Sequence, residues 1–428
     1  MTAVIGILNK SGVALAADSA VTISGGNGRK IYNSAYKIFT LSKFHPVSIM
    51  IYNAATFMEI PWEILIKEYR NQLKEKAFGT LEEYQSDFLN YLTTRLDLIS
   101  TENQKATLSA FIDYVAKRVI EDITRDNIEA IEKIRTNKGK KEFIEGKLEA
   151  QIPILLEYYK DSPVMVDFTD YSYEEFKKNN SVELKVAFDQ YYSELKVSGK
   201  IKESLFRIIY QLIVSEQFQG SWTGLVFSGY GENEIYPSCL PIQIGEVIDN
   251  RIRWMSDKEN IAIISDNNDA TIRPFAQRDV IDTILSGIDS KLENAVYGSF
   301  DSFMTEFISF LKGALDNGDG KVNEKLDKIV VRDLIMRYSE KFQDLKRDIH
   351  IEPLMSSIAS LSKEDLAELA ESLVYLTYLK RRMSFSEESV GGPIDVAIIT
   401  KGDGFVWLKR KHYFDKELNH DFIHRYLN

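Results

Sequence analysis

The chain opens with Met1-Thr2-Ala3-Val4-Ile5-Gly6-Ile7, continues with Gly12-Val13-Ala14-Leu15-Ala16-Ala17-Asp18-Ser19 and reaches Lys37-Ile38-Phe39-Thr40-Leu41. Its first two apolar runs, residues 3–8 and 13–17, are rich in β-forming residues and are separated by a polar turn ending in Gly12, which predicts a hairpin. A Gly-rich loop is predicted at Ser24–Gly28, followed by strands near Lys37–Leu41 and Val47–Tyr52. These four strands predict one sheet built from two antiparallel hairpins.

The same stretch places three chemically useful residues in order. Removal of Met1 would leave Thr2 as the N-terminus. A free N-terminal threonine carries a hydroxyl nucleophile and an amine that can accept its proton. Asp18 closes the second apolar run and Lys37 opens the third, and these are the charged partners that such a site needs.

Composition narrows the class of protein. The chain has 428 residues, of which 44% are hydrophobic and 27% charged, as in an ordinary soluble globular protein. Its formal net charge of −11 argues against general nucleic-acid binding, which needs clustered Lys and Arg. The single cysteine, Cys239, excludes an internal disulfide framework, and the sequence shows neither a secretion signal nor a long apolar run. We therefore expect a cytoplasmic protein with no membrane or nucleic-acid partner.

Periodicity divides the rest of the chain. Helical spacing dominates residues 61–215, with apolar residues three or four apart at Leu108, Phe111, Ile112, Val115, Val119 and Ile123. Strand patterns return at Gly224–Tyr230 and Pro241–Trp254, and a second helical block follows. We predict an α+β sandwich with two large helical insertions, divided into 1–60 (first part of the core), 61–215 (helical insertion), 216–276 (second part of the core), 277–383 (core helices plus insertion) and 384–428 (final strands and a C-terminal helix).

The opening segment resembles a proteasome β-subunit or its bacterial relatives, which are N-terminal nucleophile (Ntn) hydrolases. The matching residues are Thr2, Gly12, Ala16-Ala17-Asp18-Ser19, Thr22 and Lys37-Ile38-Phe39-Thr40-Leu41, with about three extra residues before Lys37. A second match, Ser389–Val396, resembles the Ser-Gly-Gly segment that precedes a late pair of strands in the family. The resemblance covers about fifty residues closely. An ordinary proteasome subunit has no counterpart of the same size for the helical blocks.

The resemblance implies a four-layer αββα sandwich and a threonine-type peptidase that needs neither a metal nor an organic cofactor. Thr2 would be the nucleophile, Lys37 would favour its alkoxide, and Asp18 would hold Lys37 charged and oriented. Thr22 would align an extended peptide or protein substrate as an added strand. Supporting or oxyanion roles would fall to Tyr52, Asn53, Glu387, Ser389 and Gly391. The family also implies a homo-oligomeric ring.

The sequence departs from the family in two places. Where the family has a glycine whose N–H forms the oxyanion hole, this chain has Ile51-Tyr52-Asn53-Ala54, and its supporting acid is Glu387 rather than aspartate. Three functions therefore stay open. The first is an N-terminal threonine hydrolase of peptide amide bonds, the second a non-catalytic proteasome-like scaffold, and the third an amidase for small molecules on the same fold.

Overall fold

The computed structural model describes residues 3–25, 28–314, 331–383, 390–415, 417–421 and 424, with the backbone alone described for 22–25, 28, 29 and 331. The strands are β1 Val4–Asn9, β2 Gly12–Ala17, β3 Val21–Gly25, β4 Gly28–Tyr32, β5 Ile38–Thr40, β6 Val47–Asn53, β7 Thr56–Phe57, β8 Ile60–Pro61, β9 Thr223–Gly229, β10 Ser238–Ile248, β11 Arg251–Ser256, β12 Ala262–Ile263, β13 Ala270–Ala276, β14 Asp395–Thr400 and β15 Gly404–Lys409.

The helices fall between these strands in two blocks. They are α1 Trp62–Leu73, α2 Leu81–Thr94, α3 Thr101–Asp126, α4 Ile128–Glu132, α5 Asn137–Tyr159, α6 Tyr173–Asn179, α7 Ser181–Tyr192, α8 Gly199–Val214, α9 Asp279–Ser286, α10 Ser290–Ala314, α11 Val331–Lys346, α12 Glu352–Ala359 and α13 Lys363–Met383. Short 3-10 turns cover Leu96–Leu98, Val166–Phe168 and Lys258–Asn260, and a π-helical turn covers Arg347–Ile351. The fold is α+β, as predicted.

Two antiparallel sheets organise the strands. The first sheet has the order β13-β1-β2-β14-β15. The second sheet has the order β11-β10-β9-β6-β5, with β12 also paired to β10. Two small hairpins, β3-β4 and β7-β8, stand apart from both sheets. The order of the strands in the first sheet differs from their order in the sequence, because this sheet combines strands from the start, the middle and the end of the chain.

The two sheets share one hydrophobic cluster, which explains why their strands are apolar throughout. Val4, Leu8, Val13 and Leu15 of the first sheet cluster with Ile38, Met50, Val226 and Cys239 of the second sheet. Alternate side chains of a strand point to opposite faces, so a strand covered on both faces reads as a continuous apolar run. Accordingly, every residue of β1 and of β2 is buried.

Helices cover the outer face of each sheet. Ile5, Ile7 and Ala14 of the first sheet pack against α13 through residues that include Leu366, Ala370, Leu373 and Val374. Ile49, Ile51 and Phe227 of the second sheet pack against α1 and α2 through residues that include Trp62, Tyr69, Leu81 and Phe88. Thr80 and Glu83 form a capping box at the start of α2.

The helices from α3 to α8, residues 101–214, form a helical subdomain with a hydrophobic core of its own. That core includes Leu108, Ile112, Leu148, Ile152, Phe176, Leu184, Leu205 and Ile209, and it meets the sheets at Ile248. The helical region predicted for 61–215 thus has two parts, because α1 and α2 cover the second sheet while α3 to α8 pack on one another.

Two predictions about the opening strands are wrong. The predicted loop at Ser24–Gly28 carries strand residues of the β3-β4 hairpin, with residues 26–27 outside the described part of the chain. The hairpins β1-β2 and β5-β6 belong to different sheets rather than to one. Strand patterns identify hairpins through local turns, but they do not specify which sheet a hairpin joins. The predicted C-terminal helix falls mostly on residues outside the description.

None of the described helices has a stretch long and apolar enough to cross a bilayer.

Arg253 on β11 attaches the helical subdomain to the second sheet. Its fully buried guanidinium donates to the carbonyls of Ile213 (2.7 Å), Leu212 (3.1 Å) and Gln217 (2.7 Å), and it pairs with Glu246 at 2.9 Å. Two of these carbonyls belong to the last turn of α8, where a cation is favoured by the helix dipole.

We expect Arg253→Met to destabilise the protein by about 3–5 kcal/mol, because it leaves the Glu246 carboxylate and three carbonyls without their donor. Urea denaturation followed by circular dichroism measures the free energy of unfolding. Arg118→Met is the matched control, because Arg118 is half-exposed and its ion pair with Asp122 lies on the surface of α3. The control should change stability by less than about 1 kcal/mol. Equal effects of both variants would contradict the proposed role of Arg253.

Candidate active site

Asp18 is the centre of the candidate site. Its carboxylate is 1% exposed and accepts hydrogen bonds from four segments within the described part of the chain. Oδ1 accepts from the N–H of Ala3 at 2.9 Å and from Lys37 Nζ at 2.6 Å. Oδ2 accepts from the N–H of Ala20 at 3.1 Å and of Gly391 at 3.0 Å. A buried carboxylate needs such partners, so Asp18 brings the starts of β1, β3, β5 and β14 to one place.

The β1-β2 hairpin explains why Asp18 reaches Ala3. The hairpin has a two-residue turn, and Val4 pairs with Ala17 at its open end. The next residues outward, Ala3 and Asp18, therefore lie opposite each other. The N–H of Asp18 also donates to the carbonyl of Ala3 at 3.1 Å, which closes this end of the hairpin. Thr2, the predicted nucleophile, precedes Ala3 in sequence and lies outside the described residues.

Lys37 lies immediately before β5 and is 5% exposed. Its Nζ donates to Asp18 Oδ1 and to the carbonyl of Ala20, both at 2.6 Å. Burial lowers the pKa of Lys37 below its ordinary value, and the charge and hydrogen bond of Asp18 oppose that shift. The arrangement is a buried ion pair in which the lysine has two acceptors among the described residues for its three N–H donors.

The segment around Gly391 is fixed against the end of β2. The N–H of Ser19 donates to the carbonyl of Gly391 at 3.1 Å, and its hydroxyl donates to the carbonyl of Pro393. Gly392 has φ of 76°, and a Cβ there would lie 2.8 Å from the Cβ of Asn33, so this position needs glycine. Since the N–H of Gly391 is engaged by Asp18, Gly391 orients that carboxylate. The predicted supporting residues Glu387 and Ser389 lie outside the described part of the chain.

Asn53 ends β6 in a left-handed conformation, with φ of 69°. Asparagine tolerates this region better than most residues do. Its side-chain amide donates to the carbonyl of Trp222 at 2.8 Å. The N–H of Ile51 donates to the carbonyl of Lys37 at 2.8 Å, and that of Ala54 donates to Trp222 on the opposite side. Since N–H groups alternate along a strand, the Asn53 N–H points to the same side as that of Ile51, where Lys37 lies.

Tyr52 is directed into the core. In the ladder it pairs with Gly224, where a Cβ would lie 1.9 Å from the tyrosine ring. The ring also contacts Trp222 edge-on and Phe275, with centroids 5.7 and 5.8 Å away. Burial raises the pKa of the Tyr52 phenol, which favours its neutral form. The N–H of Tyr52 points to the side of β9, because N–H groups alternate along β6. Of the two predicted oxyanion donors, Asn53 therefore has the better placed N–H.

Thr22 lies on β3, opposite Ile31 of β4. Within the described residues, β3 has one partner strand, so its other edge has no paired strand there. Such an edge is a template on which an extended peptide can add as a strand.

Sequence reasoning missed a second buried ion pair near Lys37. Asp395 starts β14 and pairs with Lys411, and their side chains are 2% and 10% exposed. The sequence signal for Asp395 resembled that of Asp18, since each is a carboxylate next to an apolar run, after β2 for Asp18 and at the start of β14 for Asp395. Lys411 follows Lys409 and Arg410, and nothing in that basic run marked it as buried.

A cavity of about 590 Å³ lies elsewhere, in the helical subdomain between α3, α5 and α8. Its lining includes Val119, Leu155 and Leu212, and neither Asp18 nor Lys37 contributes to it. Among the described residues, no group of three or more His, Cys, Asp or Glu side chains is arranged to hold a metal ion.

Comparison with known proteins finds no family model, no curated protein and no solved structure that matches this chain.

Proposed function

We propose that the chain is an N-terminal threonine amide hydrolase, a proteasome-like peptidase with Thr2 exposed by removal of Met1. The observation that carries this proposal is the Asp18 carboxylate, whose Oδ1 binds both the N–H of Ala3 and the ammonium of Lys37. One buried anion thus holds a lysine next to the residue that follows the candidate nucleophile. An αββα Ntn-hydrolase sandwich would account for two sheets that share a core and carry helices on their outer faces.

The reaction begins with the Thr2 hydroxyl, whose proton passes to the α-amine while its oxygen attacks the carbonyl carbon of the substrate. The third N–H donor of Lys37 serves the Thr2 oxygen and stabilises its developing negative charge. Asp18 keeps Lys37 protonated and fixed in position. The role of Lys37 requires its charged form, so activity should fall as pH rises through its lowered pKa.

The tetrahedral intermediate carries its negative charge on the former carbonyl oxygen. The Asn53 N–H donates to that oxygen, in place of the glycine N–H that the family uses. The C–N bond then breaks, and the amine leaves with the proton held by the α-amine. A water molecule, deprotonated by the same amine, hydrolyses the ester on Thr2 and releases the acid.

The substrate class follows from the backbone around Thr22. An extended peptide would pair with the edge of β3 that has no partner strand among the described residues. This strand begins directly after Ala20, whose N–H donates to Asp18. A peptide or protein is therefore the proposed substrate. Assembly into a homo-oligomeric ring and a cytoplasmic location stay predictions from the sequence.

The first experiment is the intact mass of the purified protein with and without a peptide epoxyketone, which needs both the free amine and the hydroxyl of an N-terminal threonine. We expect a mass lacking Met1 and a gain of one adduct that Thr2→Ala abolishes. Lys37→Met should slow adduct formation about 10²-fold or more, because it removes the charge beside the nucleophile. The exposed Lys76→Met is the control and should react at the wild-type rate.

Retention of Met1 with no adduct would overturn the proposal and favour the non-catalytic scaffold. Adduct formation without cleavage of any peptide in a mixed peptide library would favour the small-molecule amidase on the same fold. Folding of each variant is checked by circular dichroism, so that a loss of adduct is assigned to chemistry.

A second prediction tests the oxyanion donor. Asn53→Gly keeps the left-handed conformation and the N–H, and we expect adduct formation within about threefold of the wild-type rate. Asn53→Ala removes the amide that bonds to the Trp222 carbonyl. The left-handed conformation then costs about 1–2 kcal/mol without that support, and the reaction should slow by about tenfold or more.

The control for this series is Tyr52→Phe, which keeps the packing and the backbone and should react at the wild-type rate. Equal rates for Asn53→Gly, Asn53→Ala and the wild type would exclude a contribution of the Asn53 backbone to catalysis.

A further inference from the structure

Asp395 and Lys411 form a second buried ion pair beside the pair of Asp18 and Lys37. Lys411 Nζ bonds to Asp395 Oδ2, and the N–H of Lys411 donates to Oδ1 at 2.8 Å. Both oxygens of one carboxylate are thus bound by one residue. Replacing a buried ion pair by apolar residues often leaves the stability of a protein unchanged or increases it. A contribution to stability therefore does not by itself explain why this pair is buried.

The backbone places this second pair next to the first. Asp395 lies opposite Ala17 in the ladder between β14 and β2, and Ala17 immediately precedes Asp18 in sequence. Lys411 Nζ lies 4.6 Å from the ring centroid of Tyr36, the residue before Lys37. Each member of the second pair therefore contacts the immediate neighbour of a member of the first.

Among the described residues, three charged side chains and one phenol lie around Lys37. Asp18 comes from the end of β2, Asp395 from β14 and Lys411 from the segment after β15, while Tyr36 precedes Lys37 itself. Lys411 lowers the pKa of Lys37 and Asp395 raises it, so the two effects oppose each other while the pair is intact. In a buried setting, such effects are weakly screened by solvent.

We propose that Asp395 and Lys411 are positioning residues that set the charge and the orientation of Lys37. Lys411 anchors the ring of Tyr36 and so fixes the chain just before Lys37, while Asp395 neutralises Lys411 and keeps it from repelling the Lys37 ammonium. The inference rests on the proposed function for its catalytic meaning, but the coupling to Lys37 is measurable without any activity.

The two single variants should act in opposite directions. Asp395→Asn leaves the Lys411 cation unpaired, so Lys37 should lose its proton at a pH lower by about 0.5–1 unit than in the wild type. Lys411→Met leaves the Asp395 carboxylate unpaired, so Lys37 should keep its proton to a pH higher by a similar amount. The double variant Asp395→Asn/Lys411→Met and the conservative Lys411→Arg should both titrate close to the wild type.

The experiment titrates Lys37 directly in full-length protein labelled with ¹⁵N at lysine Nζ, and assigns its signal with Lys37→Arg. In parallel, the rate of adduct formation with the peptide epoxyketone is measured against pH, and its alkaline limb should move with the titration of Lys37. The exposed pair of Lys409 and Glu371 supplies the controls, Lys409→Met and Glu371→Gln, which should move neither.

Opposite shifts in the titration of Lys37 support the inference, whether or not the protein forms an adduct. If neither the wild type nor any variant forms an adduct, the proposed function fails while the coupling to Lys37 stands. An unchanged titration in folded Asp395→Asn and Lys411→Met proteins overturns it. Shifts in the same direction for both variants also overturn it, because a general loosening of the site would produce them. If Lys411→Met does not fold, a lowered titration of Lys37 in Asp395→Asn with an unchanged one in Lys411→Arg supports the inference, and an unchanged titration in Asp395→Asn overturns it.

Discussion

The buried carboxylate of Asp18 is the constraint on which the arrangement of this end of the molecule depends. A carboxylate removed from water is tolerated only with hydrogen-bond donors, and Asp18 obtains them from Ala3, Ala20, Lys37 and Gly391. These donors belong to the starts of four strands that are distant in sequence. Satisfying one anion therefore fixes the relative positions of the chain start, the segment before β5 and the segment before β14.

The same requirement recurs away from the candidate site. Arg253, wholly buried on β11, is satisfied by carbonyls at the end of α8 and by Glu246. The helical subdomain packs mainly on itself, so this cation is a directional attachment between two hydrophobic cores. Asp395 and Lys411 repeat the pattern a third time, next to the first. In each case a buried charge specifies a geometry that apolar packing by itself would leave less defined.

Asn53 shows how a side chain can hold a backbone conformation that favours glycine. The family that the opening segment resembles has a glycine after its fourth strand, and the matching stretch of this chain is Ile51-Tyr52-Asn53-Ala54. The structure gives Asn53 φ of 69° and ties its amide to the carbonyl of Trp222. The side chain thus holds a conformation that glycine would adopt freely, and the strand ends with its N–H on the side of Lys37.

The hairpins β1-β2 and β5-β6 and the helical blocks were predictable from the sequence, because turns and periodicity are local signals. The pairing of Asp18 with Lys37 was expected from the family resemblance of the opening segment. Three features were not predictable in this way. The hairpins β1-β2 and β5-β6 join different sheets, α1 and α2 cover a sheet while α3 to α8 form their own core, and Lys411 lies largely buried beside Tyr36. Those facts depend on contacts between segments hundreds of residues apart, as between Asp18 and Gly391. Whether a charged residue lies at the surface or in the core is settled by the partners that the fold brings to it.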